Sequence, residues 1–281
     1  IAVGAISEAD HVNSIIAACE PHAGMASVVA SACLLGGPGC HIEGFAVLPL
    51  QAEVIAMGHV GAAPVLISPE VDARQLAEAR TTFEGLMRAR AGGGLPHGWH
   101  DNEDRTEFGF AAAARVFDAV VVGRPVKGEV RPRLATLEAA LFEGGRPLLI
   151  APPKAPERLG ETILIAWNGS TESARAVALA MPLLARAKAV IVLSVLDASV
   201  PGPTGAMLGR GLARAGITAE IVDIKLSGSH AGPDIAAEAE RRGADLIVKG
   251  AYTTSRLRQM IFGGATNHLI WNAEVPVLMA N

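Results

Sequence analysis

The chain has 281 residues, half of them apolar, with 24 basic against 28 acidic side chains. That length allows two ordinary domains or one large one, and the apolar content excludes a disordered chain. A net charge of −4 with no Lys/Arg-rich run, and only 4% aromatic residues, exclude a duplex-binding footprint and a base-stacking surface, so no nucleic acid is expected as a partner. The three cysteines, Cys19, Cys33 and Cys40, are odd in number and lack CxxC spacing, which fits a reducing compartment and a cytoplasmic location. Apolar stretches such as Ala26–Leu35 and Val54–Ile67 are too short or too interrupted for a membrane span.

In chain order, Ile1–Val12 is an extension with room for an edge strand. Ile15–Glu20 then reads as a strand, Pro21-His22 as its turn, and Met25–Leu35 as a helix. Ile42–Leu48 is the next strand. Pro49–Asp72 is an apolar, glycine-containing insertion with the character of a lid or contact surface. Helix Phe110–Val116 leads into the apolar strand Phe117–Gly123, and Arg146–Ile150 closes the half. Pro152–Arg158, rich in proline and charge, reads as a linker.

The second half repeats the first. Ile163–Asn168 is a strand offset from Ile15–Glu20 by 148 positions, with Gly169–Glu172 opening a helix over Ala174–Ala185. Val190–Leu196 keeps that offset from Ile42–Leu48. Ala244–Gly250 repeats Phe117–Gly123 as a continuously apolar strand, preceded by helix Ile235–Arg242, and Val275–Met279 closes the chain. Apolar strands alternating with helices give an α/β, Rossmann-like fold: two repeated open parallel five-stranded sheets with helices on both faces. The expected units are 1–151 and 162–281, joined by a linker at 152–161. Pro147 and Pro276 are tolerated at strand ends or edges, so the two closing strands are expected to pair within the chain, with a homodimer as a further association.

The run from Ile163 to Asn168-Gly169-Ser170, the segment from Gly250 through Thr253, Gly263 and Gly264 to Thr266, and the closing Val275–Met279 together resemble a universal stress protein; with the repeat, the resemblance is to a tandem form. It covers about 120 residues well and the first half more loosely. ATP-binding members of that family carry Gly, two residues, Gly, nine residues, Gly, then Ser or Thr. From Gly250 the same spacing reaches Thr253 and Gly263, with Thr253 replacing one glycine and Gly264 the hydroxyl residue, while Thr266 offers a hydroxyl two positions on. The resemblance implies an adenine nucleotide, ATP or a relative, with Mg²⁺ accompanying it, held by Ala166, Trp167, Asn168, Val195, Gly250, Thr253, Arg256, Gly263, Gly264 and Thr266. Asn168 stands where the family carries Asp, which weakens metal coordination there. A helix starting after Gly263-Gly264 would aim N–H groups at a phosphate beyond the carboxyl ends of the strands. In the first half Arg124-Pro125-Val126 follows Gly123 and Glu20 ends the first strand, so that site is expected to be lost.

Three functions follow: a non-catalytic, stress-responsive nucleotide binder acting on an unidentified protein partner, a nucleotide-free scaffold, or a weak ATPase. No nucleophile–base pair supports an enzyme more directly. Pro96–Asp104, with His97 and His100 among three acids, reads as solvated charge rather than a metal site. Asp234 reads as a helix-start charge near His230, Arg258 as a solvent-facing helix residue, and Cys19 as a buried thiol.

Overall fold

The computed structural model describes residues 12–48, 69–91, 95–101, 103–251 and 264–281. In the first half the elements are β1 (Ser14–Cys19), α1 (Met25–Gly36), β2 (His41–Ala46), α2 (Pro69–Ala91), β3 (His97–Trp99), α3 (Glu107–Ala114), β4 (Ala119–Gly123), α4 (Leu134–Glu143) and β5 (Leu148–Ala151). The second half runs β6 (Thr162–Ala166), α5 (Thr171–Leu179), α6 (Met181–Arg186), β7 (Ala189–Val195), α7 (Gly205–Arg214), β8 (Ala219–Ile224), α8 (Gly232–Arg241), β9 (Leu246–Gly250), α9 (Ala265–Asn272) and β10 (Val277–Ala280). Most of the extension and of the insertion lies outside the described residues; Val12 packs against the core and Pro69–Asp72 belong to the start of α2.

The strands stand in the order β3-β2-β1-β4-β5-β10-β9-β6-β7-β8. Each half is parallel, with its order reversing between β1 and β4 or between β6 and β9. The two sheets join where Leu148–Ile150 pair antiparallel with Val277–Met279. Pro147 and Pro276 precede β5 and β10 by one residue, where their missing N–H costs nothing; their carbonyls accept from Val120 and Ile247 at 3.0 and 3.1 Å.

Continuous burial of the inner strands explains their unbroken apolar runs. One core, with Phe83 and Leu183, lies under α1, α2, α5, α6 and α7. The other, with Phe110 and Leu269, lies under α3, α4, α8 and α9. Both cross the seam between halves. The repeated aspartates ahead of β4 and β9 also have a tertiary reason. Asp118 Oδ2 accepts from the Asn13 and Ser14 N–H groups, each at 2.9 Å. Asp245 accepts from Gly160, Glu161 and Thr162 at 2.8–3.3 Å. Each aspartate thus ties the entry of its half's first strand to the fourth.

The helix expected over Ala174–Ala185 is instead two, α5 and α6. Pro182 lacks an N–H and cannot continue an existing turn, but it fits the first turn of a new one. No helix of the described residues is long and apolar enough to cross a membrane.

Candidate functional site

β6 ends at Ala166 and the chain turns sharply through Trp167–Ser170. Gly169 has φ of 81°, a left-handed conformation that glycine adopts without strain. Ser170 caps α5, its hydroxyl accepting from the Ser173 N–H at 3.2 Å. Asn168 Oδ1 accepts from the Ser170 N–H at 3.2 Å. Trp167 is buried in the core and donates its indole N–H to the Pro203 carbonyl at 2.8 Å.

Beside this turn, at the point where strand order reverses, lies a cavity of about 340 Å³. Its apolar wall includes Ala166, Leu193, Val195, Leu226 and Ile235, and its polar groups come from Asn168, Asp197, His230, Lys249 and Thr266. That mixture suits a small ligand with one apolar and one charged end. The structure brings together Ala166, Trp167, Asn168, Val195, Gly250, Gly264 and Thr266 on this cavity. Thr253, Arg256 and Gly263, and with them Arg258, lie outside the described residues.

The two described glycines of the motif owe their identity to different causes. A Cβ on Gly250 would overlap the backbone of Glu172 and Ser173, so this glycine lets α5 settle against β9. Gly264 sits at φ 90° immediately before α9, and a Cβ there would meet nothing within 4 Å among the described residues. It is glycine for its backbone, and among the described residues the start of α9 has no side-chain cap.

Lys249 is the charged residue of this cavity that sequence reasoning passed over. The run Ala244–Gly250 is not continuously apolar: Asp245 precedes the strand and Lys249 interrupts it at its last position but one. Its Nζ donates to the Gly250 carbonyl at 2.7 Å and to Thr266 Oγ1 at 2.8 Å. Burial pushes its pKa down to about 8, against the attraction of Glu172. Glu172 makes no ion pair with it, and Glu172 Oε2 is buried without a hydrogen-bond partner among the described residues. A charged residue inside an apolar strand was the available signal.

The corresponding place in the first half is filled from within. Glu20, equivalent to Asn168, is buried and accepts from the Arg133 backbone N–H and Nε, both at 3.1 Å, and from Thr136 Oγ1 at 2.9 Å. Arg133 is the cap residue of α4 and also donates to Glu107 at 3.2 Å. Burial raises the Glu20 pKa, opposed by the Arg133 guanidinium and these hydrogen bonds. A cavity of about 120 Å³ remains beside His22, whose pKa burial and Arg131 lower to about 4. Arg124 is likewise engaged: it reaches into the second half and donates to the Leu269 carbonyl, to Ile270 at 2.7 Å and to Val275 at 3.2 Å.

The other singled-out residues have local roles. His100 Nδ1 and His41 Nε2 lie 2.5 and 3.2 Å from the two Glu43 oxygens. No group of three or more His, Cys, Asp or Glu side chains among the described residues could hold a metal ion. Asp234 lies in the first turn of α8 and accepts from the Ser227 N–H at 3.2 Å. His230 accepts from the Gly232 N–H at 3.2 Å and its ring lies 5.6 Å from that of His268. Burial drives the Cys19 thiol pKa far upward, which leaves it unreactive.

Residues 160–281 match the family model described as the Universal stress protein family. No curated protein matches the chain significantly. Among solved structures, a universal stress protein from Archaeoglobus fulgidus DSM 4304 is similar over 97% of both chains, with a TM-score of 0.69 at 14% identity. A functionally unknown protein from Pseudomonas aeruginosa PAO1 is similar over 98% of this chain and 94% of its own, with a TM-score of 0.51 at 15% identity. At such identities the likeness is one of fold. By this match residues 160–281 are a domain of the universal stress protein type, and the likeness of the remainder of the chain to that family is one of fold.

Proposed function

We propose that the protein is a non-catalytic nucleotide-binding regulator whose C-terminal unit, 162–281, holds ATP or a related adenine nucleotide in the cavity between β6, β9 and α9. The units 1–151 and 162–281, with a linker at 152–161, are then a tandem pair in which one member keeps a ligand site. The observation that carries this reading is the cavity itself: an apolar wall for a base leads to the uncapped start of α9 beside Lys249. A nucleotide's phosphate would meet backbone N–H groups and a cation there. Asn168 Oδ1 already accepts a backbone hydrogen bond, so Mg²⁺ would travel with the phosphates rather than on that side chain.

A nucleotide-free scaffold is the second reading. It is favoured by the first half, which fills its own site with Glu20 and Arg133. Titration calorimetry with ATP, ADP, AMP and adenosine separates the two. Saturable binding of one ligand per chain is expected, with a rise in melting temperature that grows with concentration; at about 100 times Kd the added stability is about 2.7 kcal/mol. Gly264→Val, which places a β-branched residue at φ 90°, should weaken the binding. Absence of binding by the unaltered protein to all four ligands at millimolar concentration would leave the scaffold.

A further inference from the structure

The two halves treat the start of the helix after their fourth strand differently. At α4 the cap residue's N–H meets a carboxylate of the chain itself, Glu20, and a guanidinium, Arg133, completes the pair. Arg133 and Thr136 both donate to Glu20, as to an ionised carboxylate. At α9 the counterpart of Glu20 is Asn168, turned to the Ser170 N–H. The cation is nonetheless kept, supplied by Lys249 from β9 instead of by the cap residue.

We infer that Lys249 is the anion-binding group of the C-terminal cavity, holding a ligand's phosphate at the start of α9 in the place that the Glu20 carboxylate takes in the first half. This rests on the nucleotide reading of the cavity and adds to it the residue that selects a phosphorylated ligand over a bare nucleoside. Two of the three Lys249 donors meet neutral oxygens, those of Gly250 and Thr266. Among the described residues no carboxylate stands within ion-pair distance of Lys249; Glu172 on α5 acts on the amine electrostatically, and Asp197 after β7 and His230 ahead of α8 line the same cavity. A partly buried ammonium held only by neutral oxygens is poorly compensated until an anion arrives. The helix N-terminus beside it favours the same sign of ligand charge.

A protonation change follows from the same geometry. The pKa of about 8 in the unliganded site rises when a phosphate sits beside the amine, so binding near pH 8 takes up a proton from the buffer. Affinity for phosphorylated ligands then falls as pH rises above about 8, because more of the free protein must be reprotonated.

The test is calorimetry of the full chain with AMP, ADP, adenosine and inorganic pyrophosphate, in buffers of different ionisation enthalpy near pH 8. It compares the unaltered protein with Lys249→Met and Lys249→Arg. Expected are a loss of tenfold or more in AMP and ADP affinity in Lys249→Met, unchanged adenosine affinity, disappearance of the proton uptake, and partial recovery in Lys249→Arg. Circular dichroism and urea unfolding establish that each variant is folded, and Thr266→Val, which removes only the hydroxyl, supplies a second and smaller loss should Lys249→Met fail to fold. Undiminished AMP and ADP binding in a folded Lys249→Met would overturn the role of Lys249 while leaving the cavity a nucleotide site. Pyrophosphate binding that depends on Lys249, without binding of any adenine compound, would uphold the anion site and remove the adenine reading. If the unaltered protein binds none of these ligands, both fall.

Discussion

A partly buried lysine amine at the end of an apolar strand is a cost that folding must carry, and Lys249 makes that cost measurable. In the unfolded chain a lysine titrates near its ordinary value of about 10.4; in the folded protein Lys249 does so at about 8. Between those values the unfolded state binds more protons, so stability rises with pH across the window, and below about pH 8 the full cost is present. Unfolding in urea at pH 7 and pH 9.5 is expected to show this rise in the unaltered protein relative to Lys249→Met. Without ligand at pH 7 the variant should be the more stable by about 1–2 kcal/mol, since removal of a desolvated charge outweighs two hydrogen bonds to neutral oxygens. A methionine variant less stable at pH 7 would show that Lys249 serves the fold. Cys19, by contrast, lies on the first strand among apolar neighbours, and its displaced pKa reflects burial without any ligand-facing cavity.

At the scale of elements, α4 and α9 are equivalent helices placed under opposite electrostatic arrangements. α4 is anchored by Glu20, Arg133, Glu107 and Thr136, all buried. Replacing Arg133 by Met would leave two buried carboxyl groups without their guanidinium and is expected to cost about 3–5 kcal/mol, read as a lower urea midpoint with unchanged slope. The double variant Arg133→Met with Glu20→Gln should recover part of that loss, because one of the stranded charges is removed with its partner. α9 is held at its far end instead. Arg124 donates to the Leu269 and Ile270 carbonyls of its last turn and to Val275 beyond it, while among the described residues its start has no side-chain cap beside the cavity. Leaving four N–H groups of a helix without intrahelical partners is tolerable at a surface or at a ligand site. The glycine at 264 keeps that end open, since a side-chain cap of Ser or Asp type would occupy the same N–H groups.

Across the whole molecule the antiparallel pairing of β5 with β10 turns two five-stranded sheets into one of ten strands. Both cores continue through this seam, and Arg186 adds a bond from α6 to the Leu35 carbonyl at the end of α1, at 2.7 Å. A fragment of residues 160–281 would therefore expose the unpaired edge of β10 and the apolar surface on either side of it. It is expected to self-associate, with Val277–Met279 pairing antiparallel to its own copy, where the full chain supplies Leu148–Ile150. Sedimentation of the fragment should show dimers or larger species, and co-expression with residues 1–151 should convert them to a one-to-one complex. A monodisperse monomeric fragment would mean that the seam contributes little to either half.

Local pattern determined a great deal of this protein. The apolar runs at Ile15, Ile42, Phe117 and Ile163, their spacing and their repetition, at an offset of 148 for the first two strands and 127 for the fourth, identified α/β halves, because a strand covered on both faces has to be apolar throughout. The proline before each closing strand marked where those strands begin, since its missing N–H excludes it from an inner ladder position. The edge strands β3 and β8 were less legible: their partly exposed faces carry His97, Glu220 and Asp223 and show no continuous apolar signal. Seven of the residues named from the family resemblance meet at one cavity, yet the reasons for Gly250 and Gly264 came only from packing and backbone angle. Glu20 could be marked from sequence as unfavourable to a phosphate, while its pairing with Arg133, 113 positions later, and the place of Lys249 beside Thr266 could not. Such pairings depend on chain segments brought together by the sheet order, and a charge carries no mark in sequence of the partner that will neutralise it or of the one that is missing.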